Sequence, residues 1–288
     1  MCYYNGQKVT RAEKIKLLQL EKAIAGLHLN RPVIDGFDYG NHVVLRPHKD
    51  REDFDLVEME WGFAPSWINT RAELNHFRRG GINPKTGQYE KPFTTLNAIG
   101  NEMFDKKMFK DSAEENHCLI LSSGFVEWHH EFPISKKTGK PLKTPVRYPY
   151  YIHLPGHEYF YMAGIYNDWT DKQTGEKVQT SAICTADGNE LATYIHNSRD
   201  RMPTILNEEL AYEWLFRKKD KKRIIEIASS QYPYRQMYAY PLATDFLNSS
   251  DPLLRVDHPG LPPIPLPEYE KEYFIRGDND FVQKSLFD

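Results

Sequence analysis

The sequence predicts an α+β domain built on an antiparallel sheet or barrel, mostly β, with flanking helices. Three observations carry this. Apolar and aromatic residues fall in short strand-like runs at DLVEMEWGFAP, HCLILSSGFVEWHH, YPYYIHLP, EYFYMAGIYNDW and QTSAICTA. Turn-rich pieces with Gly or Pro beside lysine, NPKTGQ, SKKTGKP and DKQTGEK, lie between them. Helical stretches stand at the start and towards the end, as in α+β chains, rather than alternating with every strand.

Taken in order, Thr10 and Glu13 have capping-box spacing ahead of RAEKIKLLQLEKAIAGL, where Ile15, Leu18 and Leu27 sit at helix-like intervals, so a first helix is predicted there. VIDGFDYGNHVVLRP reads as turns and short strands. A helix is predicted at NEMFDKKMFK. Another is predicted at NEELAYEWLFRKK, with Asn207 as N-cap, acids in its first turn and bases in its last. A further helix follows at DKKRIIEIASS, capped by Asp220. No repeat or Gly/Ser-rich linker divides the chain. The closing stretch, HPGLPPIPLPEYEKEYFIRGDNDF, is proline-rich and then acidic, the composition of a surface polyproline II segment or of disorder.

Composition narrows the function. With 288 residues the chain can bury a substantial core, and 18 Tyr, 15 Phe and 5 Trp supply aromatic packing material. A net charge of -3 advertises no global affinity for nucleic acid or membrane, so any polyanion must be held by local patches. Cys2, Cys118 and Cys184 are too scattered for a disulfide framework or a CxxC zinc site and suit a reducing compartment. Cys118 and Cys184 are expected to be packed thiols. No apolar run is long enough to span a bilayer and no basic-then-apolar leader is present, so a soluble cytoplasmic protein is expected. His129 and His130 point to opposite faces of a strand, and Pro155-Gly156 forbids the helix that would join His153 to His157, so no metal site is expected. Nothing matches a P-loop, a GxGxxG fingerprint or a GxSxG elbow.

The opening MCYYNGQ places a cysteine directly behind the initiator methionine. Removal of Met1 would leave Cys2 with a thiol and a free α-amine on adjacent carbons, with reference pKa values of about 8.5 and about 7.7–8.0. Such an aminothiol attacks acyl carbons or condenses with aldehydes to thiazolidines. Alternatively Cys2 is only the second residue of a frayed terminus. Three segments hold candidate partners. Asn97, in PFTTLNAIGNE, either donates its amide to an oxyanion or substrate or caps the next helix. Glu127, between Val126 and Trp128, is either a buried carboxyl with a raised pKa or a solvent-facing residue on an alternating strand. His196, in YIHNSRDRMP beside Arg199 and Arg201, is either a catalyst or a satisfied structural histidine.

Taken together, these segments resemble the SOS response-associated peptidase (SRAP) family. The resemblance is carried by Met1-Cys2, by WGFAPSW from Trp61 to Trp67, by LNAIGNEMFDKKMFK, HCLILSSGFVEWHH and YYIH, by EYFYMAGIYNDW and by IHNSRDRMPTIL, in collinear order. It spans roughly residues 1–245, leaving 246–288 as a tail packed on the surface or disordered. The resemblance implies a barrel-like SRAP fold and an abasic-site sensor acting on single-stranded DNA. It further implies an intracellular protein, expected to be monomeric, cytoplasmic, nucleoid-associated when bound to DNA, and free of any cofactor. Autoproteolytic loss of Met1 would expose Cys2 as nucleophile, which forms a thiazolidine DNA–protein crosslink with the ring-opened sugar. By the same resemblance Asn97 positions the N-terminal residue and the sugar. Glu127 shuttles protons, and His196 helps open the sugar and stabilises the Schiff base, with an AP-lyase side reaction through the imine.

The chain departs from the family pattern in carrying Tyr3-Tyr4 where Gly-Arg is common after the cysteine, and Ile99 in place of an arginine. Both absent arginines would contact phosphate. Tyr3 and Tyr4 are candidate stacking groups, and Arg199 or Arg201 takes the phosphate-facing place. Arg78, Arg79, Lys136, Lys137, Lys140, Lys143 and Arg147 offer a basic rim or simply solvated turns. Trp67 is a wedge beside an unstacked base, or a buried core residue. Two rival functions remain at this level: an amidohydrolase or peptidase using Cys2 on another acyl substrate, and a non-covalent binder of single-stranded or modified DNA.

Overall fold

The computed structural model describes residues 2–84 and 86–266. In chain order the described strands are β1 (Tyr4–Lys8), β2 (Lys14–Leu17), β3 (Leu20–Ala23), β4 (Asn30–Asp35), β5 (Asn41–Pro47) and β6 (Phe54–Trp61). There follow β7 (Gly81–Ile82), β8 (Tyr89–Glu90), β9 (Asn97–Ile99), β10 (His117–Ser122), β11 (Gly124–Glu131) and β12 (Val146–His153). The last are β13 (Phe160–Thr170), β14 (Lys177–Ala186), β15 (Met202–Pro203), β16 (Ile205–Leu206) and β17 (Tyr238–Pro241). The helices are α1 (Arg71–Arg79), α2 (Lys110–Glu115), α3 (Glu190–Ile195), α4 (Glu208–Phe216) and α5 (Lys221–Ala228).

Five strands close a barrel. β5 pairs antiparallel with β6 and β10, β10 with β13, and β13 with β14, which returns to β6 in parallel. Closure leaves no free edge in the ring. A second sheet, in the order β17-β12-β11-β1-β4, is antiparallel throughout. The predicted class, mostly antiparallel and barrel-like with flanking helices, is the observed one.

Strand alternation sends neighbouring side chains to two different cores. From β10, Leu119 and Leu121 join a cluster with Trp214, Leu215 and Ile224 of α4 and α5, while Cys118 and Ile120 join one with Cys2, Phe125 and Ile152. All three thiols are fully buried. The indole N–H of Trp214 donates to the carbonyls of Cys118 and Gly164, paired residues of β10 and β13, at 3.0 and 3.1 Å.

The caps of α4 and α5 stand where their residue types place them: Asn207 accepts from Leu210 N at 2.9 Å and Asp220 from Arg223 N at 2.8 Å. Helix α4 ends at Phe216, before its expected bases. Lys219 instead folds back to donate to the carbonyls of Glu213, Trp214 and Arg217, satisfying the helix end. Burial there pushes its amine down to about 8.

The first predicted helix is a β-hairpin, β2–β3. Ile15 and Leu17 are fully buried between exposed Lys14 and Lys16, a period of two, and Leu18 turns the chain with a φ of 51°. The N–H groups of Thr10, Arg11 and Ala12 are satisfied by the Glu158 carboxylate, at 2.6, 2.6 and 2.9 Å. A remote acid thus replaces the local capping box. Likewise NEMFDKKMFK forms a single 3-10 turn (Met103–Asp105), and α2 begins only at Lys110. Of the 246–288 segment, residues 246–266 lie on the domain, with Phe246 buried and Leu261, Ile264 and Leu266 packed against the second core. Residues 267–288 lie outside the described residues.

Candidate active site

The residues singled out in sequence converge where the second sheet meets the barrel. β1 is inserted between β11 and β4, with Tyr4 opposite Val126 on one side and Asp35 on the other. Cys2 and Tyr3 therefore enter beside Glu127 and the turn after β4, where Gly36 N donates to Tyr3 O at 2.8 Å. A Cβ on Gly36 would lie 2.8 Å from Leu96 Cδ1 and 3.0 Å from Tyr3 O, so glycine is what allows this approach. Asn97 opens β9, which runs parallel to β14. The preceding carbonyl, of Leu96, accepts from Trp61 Nε1 and Ile183 N, both at 3.0 Å. So anchored, Asn97 donates from Nδ2 to Cys2 O at 2.9 Å, and its Oδ1 is buried with no hydrogen-bond partner among the described residues. It does not cap a helix.

Glu127 lies on β11 and is 3% exposed, next to Val126 at 1%. Adjacent residues are both buried because this strand is covered on two faces, so simple alternation fails here. His196 follows α3 directly, its N–H donating to Ala192 O at 2.7 Å, and its Nδ1 stands 3.6 Å from Glu127 Oε2.

Burial dominates the electrostatics. It lifts the Glu127 carboxyl to about 7 and lowers the His196 imidazole to about 4. At neutral pH the histidine is uncharged and the carboxyl is poised between its two forms. Burial, and then the Glu127 charge, push the Cys2 thiol well above its ordinary value. The cluster thus holds an acid–base group near neutrality, a neutral imidazole and a protonated thiol.

The candidate DNA contacts are spread more widely. Tyr3 is half-buried and packs its ring at 4.9 Å from Phe37. Tyr4 meets Phe246 edge-on at 5.7 Å. Trp67 is 42% exposed, with the Lys107 ammonium 5.4 Å from its ring, so it is not a core residue. Arg199 is exposed on the turn after His196, whereas Arg201 is ion-paired with Asp187 at 3.1 Å and lies 3.9 Å from Glu102. Arg78 is no part of a basic rim: it is buried against Glu60, Gly62 O and the Tyr39 ring.

One residue of the site was not recognisable in sequence. Asn197 accepts from His130 N and donates to His130 O, both at 2.9 Å, clasping the His196 turn to the strand that bears Glu127. Its side-chain amide imitates the paired backbone of a neighbouring strand; the hint in sequence is only an asparagine directly after the histidine. Asn197→Ala is expected to cost about 1 kcal/mol in urea unfolding, and Asn197→Asp, which keeps the acceptor alone, to recover part of it.

Where the second sheet meets the small barrel, a buried cysteine just ahead of β1 is set against an amide, a carboxyl and an imidazole. The chain belongs to the SOS response associated peptidase (SRAP) family, whose model matches residues 36–249. That span holds Asn97, Glu127 and His196, with Cys2 preceding it. Among curated proteins it is similar to Abasic site processing protein HMCES of Xenopus tropicalis, 26% identical over 214 residues, covering 67% of this chain and 54% of that one. It is also similar to Abasic site processing protein YoqW of Bacillus subtilis, 27% identical over 189 residues, covering 66% and 70%. The chain thus matches about half the length of the Xenopus relative. Among solved structures, a protein from Bacteroides thetaiotaomicron shares the fold, with a TM-score of 0.67 and 24% identity over 89% of this chain and all of that one.

Proposed function

We propose that the chain senses abasic sites in single-stranded DNA and captures them covalently through Cys2 after hydrolysis of the Met1–Cys2 bond. The observation that carries this reading is the convergence on Cys2: its carbonyl held by Asn97, its thiol within the field of Glu127, and His196 3.6 Å from that carboxyl. The names of the relatives supply the lesion.

The charge states set an order of events. With the thiol held protonated by burial, the freed α-amine is the first nucleophile. Its nitrogen adds to the C1′ aldehyde of the ring-opened sugar, and Glu127 in its acid form protonates the departing hydroxyl, which leaves as water. The S–H of Cys2 then adds across the C=N bond. Sulfur takes the carbon of the protonated imine, its proton passes to the Glu127 carboxylate and the nitrogen keeps its own, closing a thiazolidine with net loss of one water. His196, neutral at this pH and with Nδ1 3.6 Å from Glu127 Oε2, orients that carboxyl and helps open the sugar. The imine also permits β-elimination, an AP-lyase side reaction. An amidohydrolase led by the thiolate is disfavoured by the same burial. A lesion in an unpaired strand reaches a buried cysteine more readily than one in a duplex, and one copy carries all four residues, so a monomer suffices.

Intact mass of a reaction with a single-stranded oligonucleotide containing one abasic site tests this. The expected product survives denaturation, weighs the Met1-less protein plus DNA less one water, and vanishes with Cys2→Ala. Met1-less protein with no adduct would end the aldehyde-capture reading.

A further inference from the structure

Tyr3 and Phe37 form an aromatic pair beside Cys2, with Tyr3 half-buried against the second core and Phe37 open to solvent. Phe37 is 40% exposed although it stands in a rigid turn: Asp35 accepts from its N–H at 2.9 Å, and Gly36 before it is locked against Leu96 and Tyr3 O. Tyr3 is covalently next to Cys2, and its ring lies 4.9 Å from that of Phe37 at 45°. Two exposed arginines, Arg79 and Arg199, lie nearby, the Arg79 guanidinium 5.4 Å from the Tyr39 ring. Arg79 donates to the carbonyl of Asp38, the residue after Phe37, at 3.2 Å. Burial raises the Tyr3 hydroxyl, and the charge of Arg199, on the His196 turn, offsets part of that. Glu127 also acts on the Tyr3 hydroxyl, whereas the acids of the Phe37 turn, Asp35 and Asp38, act on Tyr4.

A fixed, half-open aromatic pair with two cations nearby matches the chemistry of an unpaired nucleotide, whose base stacks on a ring and whose phosphates take the guanidinium groups. We propose that Tyr3 and Phe37 form a stacking ledge for the base adjoining the lesion, with Arg79 and Arg199 receiving the phosphates on either side. This rests on the capture reading above and deepens it. The ledge would seat the neighbouring nucleotide and so deliver the sugar to Cys2, using stacking where the family arginine is absent.

The test separates binding from chemistry by using a single-stranded oligonucleotide with a tetrahydrofuran abasic analogue, which has no aldehyde, beside 2-aminopurine. Wild-type protein should quench the 2-aminopurine on binding, as stacking does. Phe37→Ala should lose the quench and weaken binding by between about fivefold and about 150-fold, the range for one stacked base. Phe37→Leu keeps the apolar bulk that packs on Tyr3 but not the π-face, so it guards against a purely structural effect and should also lose the quench. Quenching and affinity unchanged in both variants would overturn the ledge. A wild-type protein that forms no adduct with a true abasic site would instead overturn the capture reading.

Discussion

Glu127→Gln is expected to slow adduct formation by about 10²–10⁴-fold, the usual contribution of a general acid–base group, and to flatten its pH dependence. The carboxyl must donate a proton as water leaves and recover one as the ring closes. A group at about 7 does both near neutrality, so the wild-type rate should peak there and fall on either side. Glutamine keeps the shape and neutrality of the acid form without a transferable proton. The same substitution is expected to raise the melting temperature above pH 8. Glu127 has a folded pKa of about 7 against an ordinary 4.5, so the folded state binds the extra proton between them. The stability this contributes is complete below 4.5 and lost as pH rises through 7, where the charged form must stay buried. Glutamine escapes that loss, so the difference in melting temperature should shrink towards pH 5. His196, shifted the other way, loses stability as pH falls from 6.5 towards 4 in both proteins and cancels in the comparison. Adduct formation at the wild-type rate with Glu127→Gln would remove the carboxyl from the mechanism.

Trp214→Ala is expected to lower the unfolding free energy by about 3–5 kcal/mol, measured by urea denaturation. The side chain is fully buried at the hub of the helix-covered core, and its ring stacks on His117 at 4.1 Å. Trp214→Phe should cost less, about 1–3 kcal/mol, because it keeps ring packing but leaves the Cys118 and Gly164 carbonyls without their shared donor. Since the indole lies on the opposite face of β10 from Cys118, both variants should retain adduct formation below their unfolding transitions. A loss below about 1 kcal/mol for alanine would mean the two layers are not coupled through this residue.

Glu127 is where sequence reasoning reached furthest, because an acid embedded in GFVEWHH can be suspected of burial from its immediate neighbours. Whether it faced water depended on what covered the second face of β11, which no periodicity reports. Asn97 could equally have been a helix cap; the choice went to Cys2 O because β9 is pinned by β14 and Trp61, residues far away in the chain. Arg78, read as part of a basic rim or a solvated turn, is buried over Tyr39, while Trp67, read as either a wedge or a core residue, is open to solvent.

The sequence by itself determined the strand runs, the Asn207 and Asp220 caps, and the residue types from which the site is made. Each follows from interactions within a few residues, which local spacing records. Only the tertiary structure decided that residues 14–23 form a hairpin, that β11 is covered on both faces, and that residues 2, 97, 127 and 196 share one site. The physical reason is that burial and long-range hydrogen bonds outweigh local preferences of a few tenths of a kcal/mol per residue. Glu158 illustrates it by taking the Thr10 N–H that the local pattern had reserved for Glu13, and those of Arg11 and Ala12 with it.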